Sequence, residues 1–328
     1  MQTVEIFHSG QKQVNGRVFP KIIKPEPSAK TPSYSLEDLF EWGEKNKSEF
    51  REELMTYGAI LLRDFPFSCP NDFEHFLDVS GFPRMPYVGG AAPRSKVTKG
   101  RVLTSNESPP SEPIPFHHEM AQVPNPPAYI FFYCDLPCDI GGETAIAHSN
   151  HIYQKFQVVG GEFAKKVEKT GVRYIRIMPE EDDSTSAIGR SWKSTFIAKT
   201  KEEAEMKMKE LGTTWQWLSD GNVRTETTTI PAIRTDERTG LKTFFNSMVA
   251  AYTGWVDSRN DPTKSVCCGD GSAVDGNVLT KMATILNEEA AIIPWQKGDV
   301  LLIDNKLVLH SRRPFEGPRK ILASIAPH

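Results

Sequence analysis

Six short apolar or alternating runs, PAYIFFYC, GVRYIRIM, TTTIPAIRT, KTFFNSMV, DVLLIDN and KILASIA, fill the middle and end of the chain, punctuated by Gly, Pro, Asn or Asp. Their spacing is irregular and loop-rich. A parallel doubly wound sheet needs strands that alternate regularly with helices, so the pattern argues instead for a sandwich or a jelly roll. Helices flank these runs. Ser35 opens a capping box with Asp38, and Leu36, Leu39, Phe40, Phe50 and Leu54 recur at helical spacing until Gly58. AILLRDF then reads as a buried strand, PNDFEHFLDVSGF as a second helix, and residues 150–170, 201–211 and 276–290 as further helices. KIIKPEPSAKTPSYS carries three prolines among polar residues, so residues 1–35 are expected to be an extended lead-in and 36–328 a single domain.

With 38% hydrophobic residues in 328, the chain can bury a substantial core. Its 39 basic and 42 acidic residues nearly cancel, which gives no long-range attraction for nucleic acid or an anionic membrane and leaves a small molecule as the expected partner. The N-terminus lacks a secretory pattern, and no run approaches the roughly 18 apolar residues of a membrane helix. A cytoplasmic protein with five free thiols is expected. No motif bears on oligomeric state.

IPFHHEMAQ places His117 and Glu119 two positions apart, on one face of an extended strand. Alone, that spacing is common on ordinary polar strands. His118 would face the other way, as a structural or supporting residue. The C-terminal stretch PWQKGDVLLIDNKLVLHSRRPFEGPRKILAS adds His310 at the close of a short strand. Two histidines and one carboxylate from distant segments, with three adjacent positions left open, form the facial triad that holds reactive iron(II). The same donors also describe catalytic zinc, so a zinc hydrolase is one rival reading and a non-catalytic jelly-roll binding protein another.

Four segments in order resemble the taurine dioxygenase and clavaminate synthase group of iron(II)/2-oxoglutarate oxygenases, closest to its plant clavaminate synthase-like members. They are FHHEM, GGET at 141–144, WQKGDVLLIDN, and HSRRPF followed by a basic residue. The resemblance implies mainly β structure with flanking helices around a double-stranded β-helix (jelly roll) core. It also implies Fe(II) on His117, Glu119 and His310, with 2-oxoglutarate and O2 as cosubstrates. The distal carboxylate of 2-oxoglutarate would be held by Thr144 with Arg319 or Lys320. Succinate and CO2 would be released as the prime substrate is hydroxylated, desaturated or cyclised. The arginine that sulfonate-binding members carry further along this strand is replaced here by Ala323 or Ser324, so a taurine-like substrate is not expected.

Arg319 and Lys320 point to opposite faces of a strand, and only one can reach the pocket. The planar fork of arginine favours Arg319, whereas the apolar set Ile321, Ala323 and Ile325 on its face favours Lys320. Substrate contacts are expected from Arg312 first, then from Arg94, Asn106, Asn246 and Arg190, with Trp192, Lys193 and Arg313 in the same loops. A cluster of arginines suggests a small carboxylate-bearing or amino-acid-like metabolite.

Overall fold

The apolar runs Ala59–Leu62, Tyr129–Leu136, Val300–Asp304 and Lys320–Ala326 stand side by side because each has two apolar faces to bury. The computed structural model describes residues 1–27 and 33–328. In it these runs form the centre of a seven-stranded sheet, ordered Thr3–Glu5, Lys21–Pro25, Ala59–Leu62, Val300–Asp304, Tyr129–Leu136, Lys320–Ala326 and Leu103–Thr104. Alternate residues take opposite sides. Ile60, Phe131, Tyr133, Leu302 and Leu322 pack against the helices Leu36–Lys45, Lys47–Tyr57 and Pro70–Val79, through Leu39, Phe50, Leu54, Phe73 and Phe76. Leu61, Phe132, Leu301, Ile321 and Ala323 pack the other way, against a three-stranded sheet of Ile146–His148, Val308–Arg312 and Ile114–His117. Each such side chain contributes roughly 2 kcal/mol by leaving water, so one face of the sheet could not be left bare.

A third sheet of four strands, Thr214–Trp217, Val223–Glu226, Val172–Met178 and Val266–Cys268, extends the molecule beyond the small sheet. The helices Ser149–Thr170, Met248–Gly254 and Gly276–Glu289 close a further core behind it. No helix among the described residues is long and apolar enough to cross a membrane.

Several expectations change. The segment 1–27 is not a lead-in: Lys21–Pro25 pairs in parallel with Ala59–Leu62, and Thr3–Glu5 pairs with it in turn. Ile22 and Ile23 are both buried, which ties the segment into the sheet before its prolines break the strand. The boundary at 35 therefore separates no domain, and the rest of the expected lead-in, 28–32, lies outside the described residues. The capping box of Ser35 and Asp38 forms, but the single helix expected to Gly58 is two, broken at Asn46. TTTIPAIRT and KTFFNSMV keep only the two-residue strands Arg234–Thr235 and Lys242–Thr243. The second run then turns into the helix Met248–Gly254, and its aromatics Phe244 and Phe245 are buried as loop residues.

His148 ends the strand Ile146–His148 with its ring edge-on to Phe19, and its Nδ1 is buried without a hydrogen-bond partner. Burial, helped by His151, pushes its pKa from 6.5 down to about 4. The unfolded chain therefore takes up the proton first. Stability is complete above about pH 6.5 and falls as the pH drops, levelling near pH 4. Between about pH 7 and pH 5 this group should cost the wild type about 2 kcal/mol. Urea unfolding of His148→Phe should lack that portion of the acid loss, and an unchanged pH slope would refute it.

Candidate metal centre and its cleft

Pairing in the small sheet sets His117 directly opposite His310, with ring centroids 4.4 Å apart. The Nδ1 of His117 donates to the Pro115 carbonyl at 2.8 Å, which leaves Nε2 as a free lone pair. The strand Ile114–His117 stops before Glu119, which lies in the following turn, where Met120 takes a left-handed φ of 54°. The carboxylate still returns to the side of His117. Its Oε2 lies 3.4 Å from Nε2 of His310 and 3.9 Å from Nε2 of His117.

The ligand atoms of these three residues all lie within 4.8 Å of one another, and no other such group is found among the described residues. An ion about 2.1 Å from each donor would hold adjacent donors roughly 3 Å apart, close to this arrangement. Glu119 Oε2 is buried and has no hydrogen-bond partner, a cost that a cation would remove. The donor set fits a divalent metal.

Electrostatics prepare His117 and Glu119 for that task. Burial foremost, then His310, pushes the His117 pKa down to about 4, so the imidazole is neutral at physiological pH. Burial would raise the Glu119 carboxyl, but the Arg94 guanidinium and His310 more than offset it and hold the group well below the carboxylate range. Arg94 Nη2 donates to Glu119 Oε1 at 3.0 Å and stacks over Tyr87 at 4.4 Å, fixing which oxygen faces the histidines.

Asn305, at the end of the run DVLLIDN, clamps this loop. Its Oδ1 accepts from the Glu119 amide at 2.7 Å, and its Nδ2 donates to the carbonyls of Glu119 at 3.0 Å and Pro127 at 2.8 Å. His118 is fully engaged on the far side: Nδ1 donates to the Asn305 carbonyl and Nε2 accepts from Ser149 Oγ at 2.8 Å. Removing a residue that orients a metal ligand typically costs ten- to a hundredfold in metal affinity. Asn305→Ala should therefore weaken Fe(II) binding by roughly that factor in equilibrium dialysis, with all three ligands still present. Unchanged affinity would show that the clamp is dispensable.

The donors open into a cleft of about 840 Å³, its open mouth included. Thr144, Arg319, Arg94, Asn106 and Arg312 all line it. Gly141 and Gly142 both take positive φ, and a side chain on Gly142 would strike Cys138 Sγ at 2.4 Å and Arg319 Cδ at 3.0 Å. The paired glycines thus let the chain pass close to Arg319, whose Nε donates to the Gly142 carbonyl at 2.9 Å. Burial, then Arg312, pushes Arg319 down to about 10, still charged at neutral pH. Lys320 is half exposed and pairs with Asp135 at 2.8 Å, outside the cleft.

The other expected contacts are already occupied. Arg312 donates to the carbonyls of Ser108, Pro109 and Glu112, so it holds the 108–112 loop although it touches the cleft. Asn106 reaches the cleft while its Oδ1 accepts from the Ser108 amide at 2.8 Å. Arg190 is turned away, giving its hydrogen bonds to the carbonyls of Tyr87, Gly90 and Ser194. Asn246 is buried against Ala232 and Met248, Trp192 is in the core, Lys193 pairs with Glu180 and Glu181, and Arg313 is on the surface beside Glu143. None of these last five lines the cleft. No motif hints at the apolar lining of Ile114, Ile188, Ala250 and Trp255.

Comparison with known proteins decides the lineage. The family described as Taurine catabolism dioxygenase TauD, TfdA family matches residues 22–325. The chain belongs to the TauD/TfdA family. As a TauD/TfdA member the protein is an oxidoreductase, a dioxygenase that depends on Fe(II) and 2-oxoglutarate, which sets aside the zinc hydrolase and the binding protein. It is 47% identical over 317 residues to a clavaminate synthase-like protein of Arabidopsis thaliana, covering 96% of each chain. It is 25% identical over 312 residues to the dapdiamide synthesis protein DdaC of Enterobacter agglomerans, covering 91% of this chain and 89% of that one. Among solved structures it resembles PvcB of Pseudomonas aeruginosa, with a TM-score of 0.56 at 14% identity over 100% of this chain and 91% of that one. The likeness to PvcB extends the TauD/TfdA resemblance to the fold.

Proposed function

We propose that His117, Glu119 and His310 hold Fe(II) on one face, and that Arg319 and Thr144 anchor 2-oxoglutarate for the oxidation of a small carboxylate-bearing or amino-acid-like metabolite. We read the two facing sheets as a double-stranded β-helix (jelly roll) around this site. The observation that carries the proposal is the buried, unpartnered Oε2 of Glu119 turned toward two imidazole Nε2 atoms.

When bound, the iron and 2-oxoglutarate would supply, with O2 as the oxidant, oxidative decarboxylation to succinate and CO2 coupled to oxidation of a substrate C–H bond. The chain's own residues bind, orient and insulate. Arg94 holds Glu119 ionised and aimed, and the Pro115 carbonyl fixes the His117 tautomer. Arg319, half-buried over the Phe315 ring and lining the cleft with Thr144, offers a guanidinium fork for the distal carboxylate of 2-oxoglutarate. The wall of Ile114, Ile188 and Trp255 excludes water from the substrate side. Free thiols at all five cysteines support a reducing, cytoplasmic setting.

Anaerobic titration tests the ligand assignment. Wild type should take up one equivalent of Fe(II), and Glu119→Gln should bind it at least about a hundredfold more weakly, since a neutral amide replaces the anionic donor. Equal binding by Glu119→Gln would refute the assignment.

A further inference from the structure

Arg176 is a buried charge that the metal centre does not use. It lies on Val172–Met178, whose residues alternate strictly between buried and half-buried, and it shares the buried face with Val172, Tyr174 and Met178. Only 7% of it is exposed. Its Nη2 donates to Thr195 Oγ1 at 3.2 Å and touches the Met178 sulfur at 2.6 Å, while its Nη1 is buried with no hydrogen-bond partner.

No carboxylate among the described residues forms an ion pair with it. Burial first, then repulsion from Arg190, pushes its pKa down to about 10, so it is still protonated at neutral pH. Asp257, the carboxylate that acts on it, is already paired with Arg259 at 2.7 Å. A charge buried without a partner is strongly disfavoured unless something else supplies the counter-ion.

Arg176 lines a cavity between the third sheet and the short helix Trp192–Phe196, together with Tyr174, Thr195, Thr225 and Thr227. Gln122 and Trp255 line both this cavity and the catalytic cleft, so the two adjoin. We propose that the cavity is the subsite for a carboxylate of the prime substrate, with Arg176 as its counter-ion and the oxidised carbon lying back past Gln122 and Trp255 at the metal centre. This rests on the function proposed above and deepens it. Of the arginines that line the cleft or this cavity, Arg94 is committed to Glu119, Arg312 to carbonyls and Arg319, in the function proposed above, to 2-oxoglutarate, which leaves Arg176 for a substrate anion. A single unpaired cation matches a single negative charge. The substrate is then an acid whose charged end is separated from its oxidised carbon by a body that fits beside an indole ring.

The test uses protein loaded with Mn(II) and N-oxalylglycine, so that the metal centre and the cosubstrate anchor are both filled. Straight-chain monocarboxylates and their matching primary amides are titrated calorimetrically into wild type, Arg176→Met and Arg176→Lys. The acids should bind wild type in preference to the amides, about thirtyfold more weakly to Arg176→Met, and with intermediate strength to Arg176→Lys. Affinity for Mn(II) and N-oxalylglycine should be unchanged. Without added acid, Arg176→Met should melt no lower than wild type, because an apolar chain of similar volume replaces an unpaired charge. Equal acid binding in wild type and Arg176→Met overturns the proposal, as does wild-type binding of acids and amides alike. Destabilisation of both variants overturns it too, by making Arg176 structural. Failure of the metal assignment appears separately, as absent Mn(II) binding in wild type, and the acid-against-amide comparison can still be read on the metal-free protein.

Discussion

His310→Ala should lose stoichiometric Fe(II) binding and all detectable turnover of 2-oxoglutarate while remaining soluble and folded. The donors come from two neighbouring strands and the turn that follows one of them, and His310 is the one contributed by Val308–Arg312. Without it, His117 and Glu119 make only a two-point site. Loss of a ligand should exceed the ten- to hundredfold cost of losing a residue that merely orients one. The fold should survive because an open metal site on the face of a packed sheet carries little of the stability, whereas the large sheet is buried on both sides. Circular dichroism and metal analysis after gel filtration check both halves. Insoluble protein would mean a structural metal, and retained Fe(II) would place a ligand elsewhere.

The second large effect separates two neighbours. Arg319→Ala should raise the apparent KM for 2-oxoglutarate roughly thirtyfold, the consequence of about 2 kcal/mol lost with a half-buried charged clamp. Lys320→Ala should change it little, because that ammonium is half exposed and spent on Asp135. Steady-state kinetics with the two variants in parallel decides. A large rise in Lys320→Ala alone would reverse the assignment, and no rise in either would move the anchor to another residue.

That pair shows where sequence reasoning reaches its limit. The fork chemistry of arginine pointed to Arg319, but strand alternation pointed to Lys320, on the premise that an apolar face turns away from a polar pocket. In the fold, Ile321, Ala323 and Ile325 face the core between the two sheets, and the cleft opens from that same side. Leu322 and Ala326 face the helices, while Lys320 lies at the solvent end of the strand beyond a register shift. Alternation separates two faces. It does not say which of them carries the site.

The cluster of His117, Glu119 and His310 could be read in advance because metal-ligand chemistry restricts residue type and the surrounding motifs keep their order. Arg190 and Asn246 lie outside the cleft and Arg312 lines it with its guanidinium held by a loop, an arrangement hidden in the sequence because their partners are mostly backbone carbonyls and amides, which leave no mark there. The N-terminal strands were missed because prolines that follow Ile22 and Ile23 were allowed to outweigh them. Arg176 was legible after all. An arginine in phase with Val172, Tyr174 and Met178 on an alternating strand is a charge on a buried face, and that signal needs only a count by twos.

Succinate formation from 2-oxoglutarate, measured with Fe(II), ascorbate and O2 in wild type, His310→Ala and Arg319→Ala, separates an oxidising site from an inert one. Wild type should release succinate with equal CO2 even without a prime substrate, though slowly. His310→Ala should release none, and Arg319→Ala should recover only at high 2-oxoglutarate. Succinate formation that persists in His310→Ala, or a wild type that forms none with Fe(II) bound, would contradict the central claim that this triad and this cosubstrate form one oxidising site.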